Sequence, residues 1–75
     1  MTPEDNFLKA IEPALPVITK VCLAYSSSKE EYDDMRQDVM LNLWRGWDSF
    51  RGDSKLTTWV YRVALNTCFS ELKKH

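Results

Sequence analysis

The sequence predicts an all-α fold, a compact domain of three to four helices, and three observations carry that expectation. Apolar residues recur at helical intervals in three separate stretches, only two glycines and three prolines occur in 75 residues, and capping residues stand where the second and third stretches begin. The elements follow in order. Leu8, Ile11, Leu15, Ile18, Cys22 and Tyr25 are separated alternately by three and four residues, the stripe of a helix and not of a strand. Pro13 and Pro16 interrupt it, because proline lacks an N–H and clashes with the preceding turn, yet fits a first turn whose donors are unpaired anyway. The spacing therefore predicts helices over about 4–11 and 13–25, or one kinked helix over the same residues.

Ser26-Ser27-Ser28 is a polar break, and Ser28-Lys29-Glu30-Glu31 has the form of a capping box. A helix over about 29–47 is predicted from there. Tyr32, Met35, Val39 and Leu43, with Met40, Trp44 and Trp47, form one wide apolar stripe, and Gly46 loosens its end. Asp53 and Ser54 are both good N-caps, so a last helix is expected over about 54–73. Leu56, Trp59, Val60, Val63, Ala64, Thr67 and Leu72 continue at helical spacing to Lys73-Lys74, whose charge complements the helix dipole.

Length and composition narrow the function. A chain this short holds one domain, 1–75, and a core of this size supplies no more than about 3–5 kcal/mol of net stability. No apolar run reaches the roughly 20 residues of a membrane span, and the N-terminus lacks the basic-then-apolar pattern of a signal peptide, so no membrane partner and a cytoplasmic location are expected. Cys22 and Cys68 have no neighbours at metal-ligand spacing, and they read as small buried thiols; no cofactor is expected.

Charge is distributed unevenly behind a formal net charge of −1. Through Trp44 there are eight acids against four bases; from Arg45 onward there are three acids against six bases. An acidic half and a basic half suit two partners of opposite sign better than one.

Candidate chemistry is sparse. Without a Cys–His pair, a phosphate-binding glycine loop or a metal cluster, the chain is not expected to be an enzyme, and the run Asp33, Asp34, Asp38 reads as a solvated helix face. Arg51-Gly52-Asp53-Ser54 spells a cell-adhesion tetrapeptide, but Asp53 is better explained as a cap. More informative is the segment from Phe50 to Asn66. A helix places Trp59, Arg62 and Asn66 near one another beside the Phe50–Ser54 turn. Aromatic faces, cations and amides together are what single-stranded nucleic acid requires, stacking alone contributing about 1–3 kcal/mol per base. The competing reading is that Phe50 and Trp59 fill the core.

The stretch from Asp33 to Lys74 resembles region two of the bacterial sigma-70 family, in particular the extracytoplasmic-function (ECF) sigma factors. Two motifs carry the resemblance: the acidic helix DDMRQDVMLNLW, from Asp33 to Trp44, and FRGDSKLTTWVYRVALN, from Phe50 to Asn66. The resemblance implies a domain that docks on core RNA polymerase and recognises and melts the promoter −10 element during transcription initiation. It implies that Asp34, Gln37, Asp38 and Asn42 meet the clamp helices of the largest polymerase subunit. It further implies that the loop Phe50, Arg51, Gly52, Asp53, Ser54, Lys55 and Leu56, with Trp59, Val63 and Asn66 on the adjoining helix, meets the non-template single strand and a base flipped out of it. Arg62, Lys55 and the C-terminal lysines would meet phosphate.

Met40 stands where the family often has phenylalanine, and nothing after His75 supplies the family's helix-turn-helix domain for the −35 element, so an excised or truncated domain is expected. An anti-sigma factor is a further possible partner. The alternative from another class is a helical protein-interaction module, anti-sigma-binding or adaptor, without DNA binding.

Overall fold

The computed structural model describes residues 2–50, 52 and 54–73. Helix α1 (Pro3–Ile11) starts at a reciprocal cap made by Thr2 and Asp5. The Thr2 hydroxyl accepts from the Asp5 amide at 3.1 Å, and the Asp5 carboxylate accepts from the Thr2 amide at 3.4 Å, so two otherwise orphaned donors are satisfied. A single 3-10 turn, Glu12–Ala14, follows and contains Pro13. Helix α2 (Leu15–Tyr25) then begins two residues later than expected, with Pro16 in its first turn. The prolines thus divide the apolar stripe between two helices, each occupying a position that needs no N–H donor.

Helix α3 (Lys29–Gly46) is capped by Ser28, whose hydroxyl accepts from the Glu31 amide at 3.1 Å. The return bond goes one residue further back than a capping box has it: the Glu31 carboxylate accepts from the Ser27 amide at 2.9 Å. A second 3-10 turn, Trp47–Ser49, ends with the Phe50 amide donating to the Trp47 carbonyl at 3.2 Å, and Phe50 itself is extended. Helix α4 (Leu56–Lys73) starts two residues after the expected position. The Lys55 carbonyl accepts the first helical bond, from the Trp59 amide at 3.0 Å, which makes Lys55 and not Ser54 the residue at the cap; Asp53 lies outside the described residues.

Helix α4 packs against both α2 and α3, with the α1 end closing the core. Ile11, Ile18, Cys22, Met35, Val39, Leu43, Val60 and Cys68 are fully buried, and each large aliphatic side chain among them contributes about 1.5–3 kcal/mol of transfer free energy. Three residues of the predicted stripes lie exposed instead. Leu8, Trp44 and Leu72 remain 44%, 41% and 42% exposed, because the stripes are wider than the surface their neighbours cover.

Cys22 and Cys68 meet across the α2–α4 interface as free, buried thiols. Burial raises the Cys22 pKa, opposed by a hydrogen bond from Cys68 and by the Arg36 charge. Burial and then the neighbouring Cys22 push the Cys68 thiol up to about 12. Both therefore stay protonated near neutrality and act as small apolar groups. No described helix is long and apolar enough to cross a membrane.

Candidate nucleic-acid interface

The corner between α3 and α4 is organised by stacked aromatic rings. Phe50 stacks on Trp59 with centroids 4.8 Å apart and planes at 28°, and on Trp47 at 5.9 Å and 20°. Trp47 in turn receives the edge of Phe7 at 5.4 Å, and Phe7 meets Trp44 at 5.1 Å, so the column runs back into the core through α1. A Cβ on Gly46 would lie 3.4 Å from the Trp59 ring, so the end of α3 closes over the indole. Phe50 and Trp59 are consequently both half-buried. The two readings of these aromatics combine: their inner faces anchor the loop, and their outer parts remain at the surface.

Beyond Phe50 the chain turns through Gly52, whose φ of +77° lies in the left-handed region. A side chain there would have open space but a strained backbone, which is the physical reason for glycine. Ser54 and Leu56 are half-buried and Lys55 is exposed. On α4, Trp59, Val63 and Asn66 lie at successive turns of one face, with Arg62 beside them. Val63 is half-buried against the core, while Arg62 and Asn66 are exposed. The structure stacks Phe50 on Trp59 and leaves Lys55, Arg62 and Asn66 exposed along the chain that follows; the expected contributions of Arg51, Asp53 and Lys74 lie outside the described residues.

The acidic face of α3 is a separate surface. Asp34 and Gln37 are exposed and Asp38 is half-buried. At about 100° per residue, Leu41 lies nearly in line with Asp34, whereas Asn42 is rotated by about 80° from it. The structure follows that geometry. Leu41 is 44% exposed beside the acids, while the Asn42 amide donates to the Thr67 hydroxyl on α4 at 2.8 Å. Two concavities open on this helix. One, of about 410 Å³, is lined by Glu4, Leu8, Gln37, Met40, Leu41 and Trp44; the other, of about 230 Å³, lies between α3 and α4 and includes Asp38, Asn42, Arg45 and Thr67. Leu8 and Trp44 belong to the apolar stripes by spacing and yet lie exposed, and Leu41, which the stripes leave out, is exposed with them. The signal for Leu41 was its position seven residues after Asp34.

The fold and its two surfaces define an all-α interaction domain, acidic along one helix and aromatic and basic at the start of another. Residues 10–75 match the sigma-70 region 2 family. The chain belongs to that family, on its ECF branch. It is 31% identical over 68 residues to the ECF RNA polymerase sigma factor SigG of Mycobacterium tuberculosis, covering 91% of this chain and 18% of that protein. It is 39% identical over 49 residues to the ECF RNA polymerase sigma factor SigM of the same organism, covering 65% of this chain and 25% of SigM. It is 50% identical over 34 residues to the ECF RNA polymerase sigma-E factor of Escherichia coli, covering 45% of this chain and 18% of that protein. The chain therefore spans a quarter or less of the length of these relatives. No solved structure matches it.

Proposed function

We propose that this chain is the polymerase-binding and −10-recognising domain of an ECF-type sigma factor acting in transcription initiation. The observation that carries the proposal is its family match over residues 10–75. The geometry supports it in two ways. The stacked Phe50 and Trp59, with Leu56 and Val63, offer an apolar wall to a single base withdrawn from its stack, and the exposed Asn66 amide suits its edge. Lys55, Arg62 and the C-terminal lysines provide positive charge for the adjoining phosphates, and the amides of the first α4 turn add polarised donors. Asp34, Gln37 and Asp38 on α3, beside the apolar Leu41 and Trp44, suit a basic helical surface such as the polymerase clamp helices and would repel DNA. The role is non-enzymatic binding and strand capture.

The test is direct. A labelled single-stranded −10-like oligonucleotide at low salt should shift the amide resonances of Phe50–Leu56 and Asn66, and Asn66→Ala should weaken the complex; absence of any shift removes the DNA half of the proposal. Asp38→Lys should abolish pull-down of core polymerase, and unchanged pull-down removes the polymerase half. A second reading, a helical module for an anti-sigma factor or other protein without DNA binding, is favoured by the apolar groove of Leu8, Leu41 and Trp44. It predicts no oligonucleotide response at any salt concentration.

A further inference from the structure

Between the two surfaces runs a directional chain of hydrogen bonds. The Thr67 hydroxyl donates its one proton to the Val63 carbonyl at 2.7 Å, which leaves its lone pairs to accept from the Asn42 Nδ2 at 2.8 Å. Thr67 is 5% exposed, so its hydroxyl has little access to other partners, and Asn42 is itself half-buried. The chain begins on the acidic helix and ends on the turn of α4 that carries Val63 and Asn66.

We infer that Asn42 is a positioning residue for the base-contacting turn Val63–Asn66 and not part of the polymerase face. The inference rests on the DNA-binding reading above and changes the role that the resemblance implied for Asn42. The physical basis is rotational. The apolar contacts of Val60, Ala64 and Cys68 are non-directional and set the rotation of α4 only to within the tolerance of their packing, whereas a hydrogen bond fixes a partner and a direction. The bond from α3 to Thr67 sharpens the rotation of α4 at the residue adjacent to Asn66, and the bond onward to Val63, within α4, orients the Thr67 hydroxyl so that its lone pairs face Asn42. An alanine at position 42 removes the donor without disturbing the helix, since alanine is the best helix former.

The experiment titrates the 75-residue chain with labelled oligo-dA, oligo-dC and oligo-dT at low salt, comparing Asn42→Ala, Thr67→Val, their double variant and Thr67→Ser. Asn42→Ala and Thr67→Val should each lower affinity for the preferred oligonucleotide by about three- to tenfold and narrow the preference among the three. The double variant should lose no more than the worse single one, because both break one chain. Thr67→Ser, which keeps the hydroxyl, should retain affinity within about twofold, and Asn42→Ala should still pull down core polymerase. Circular dichroism accompanies each titration; a misfolded Thr67→Val leaves the decision to Asn42→Ala against Thr67→Ser. If Asn42→Ala keeps both affinity and preference, or loses the polymerase pull-down, the inference is overturned while DNA binding by the wild type stands. If the wild type binds none of the three, the DNA-binding reading falls and takes the inference with it.

Discussion

Gly52 is the residue on which the loop geometry depends most directly. Its φ of +77° is adopted freely by glycine and at a cost by any residue with a Cβ, and no neighbouring atom would obstruct the substituent. Gly52→Ala is therefore expected to destabilise the fold by about 1–2 kcal/mol through backbone strain alone. Gly52→Asn should cost less, because asparagine tolerates the left-handed region; urea unfolding midpoints check both. The same position was legible in the sequence only as part of a motif. Nothing in Arg-Gly-Asp-Ser, read as residues, states whether the glycine is there for recognition or for its torsion angle, and φ decides that. Asn66 and Asn42 make a related point. Both amides sit at plausible surface positions of a helix, yet one faces solvent and the other donates across an interface, because only Asn42 has a hydroxyl on the facing helix within reach.

At the scale of elements, the starts of α1 and α3 are set by side-chain caps, and these are among the most exposed hydrogen bonds described. Removing the Ser28 hydroxyl with Ser28→Ala should cost about 1 kcal/mol, measured as a drop in thermal midpoint without loss of the folded baseline. A second prediction concerns the α2–α4 contact. The folded Cys68 thiol holds its proton to about 12, above its ordinary value of 9.0. A raised folded value means that the folded state binds the proton more tightly, so the stability it contributes is complete below about pH 9 and is lost as pH rises toward 12. Unfolding curves should show stability falling through this window, and Cys68→Ala should flatten that fall; an equally steep fall in the variant assigns it to other groups. The helices themselves were readable from periodicity, whereas their boundaries shifted by up to two residues. Prolines and carbonyl partners, not apolar spacing, decide where each first turn closes.

For the whole molecule, two opposite charge fields on one small domain predict partners of opposite sign, both complexes weakening as salt rises. Few cations lie at the aromatic corner, so single-strand binding should be weak and only modestly salt-dependent, with a slope of log K against log salt of about −1 to −3. Lys55→Ala should reduce the magnitude of that slope by roughly 0.7; an unchanged slope would place the phosphates elsewhere. The sequence by itself determined that the chain is helical, that its charge divides near Trp44, and that its second half carries stacking and hydrogen-bonding groups. Those properties are local: they follow from spacing and residue type, which every folded arrangement of the chain must respect. Only the tertiary structure decided that Phe50, Trp59 and Trp47 stack into one column, that Leu41 and Trp44 stay at the surface beside the acids, and that Asn42 ties α3 to α4. Each of these depends on which helix lies opposite. That choice is made by summing small, non-directional packing energies over the whole core, and no single stretch of sequence contains the sum.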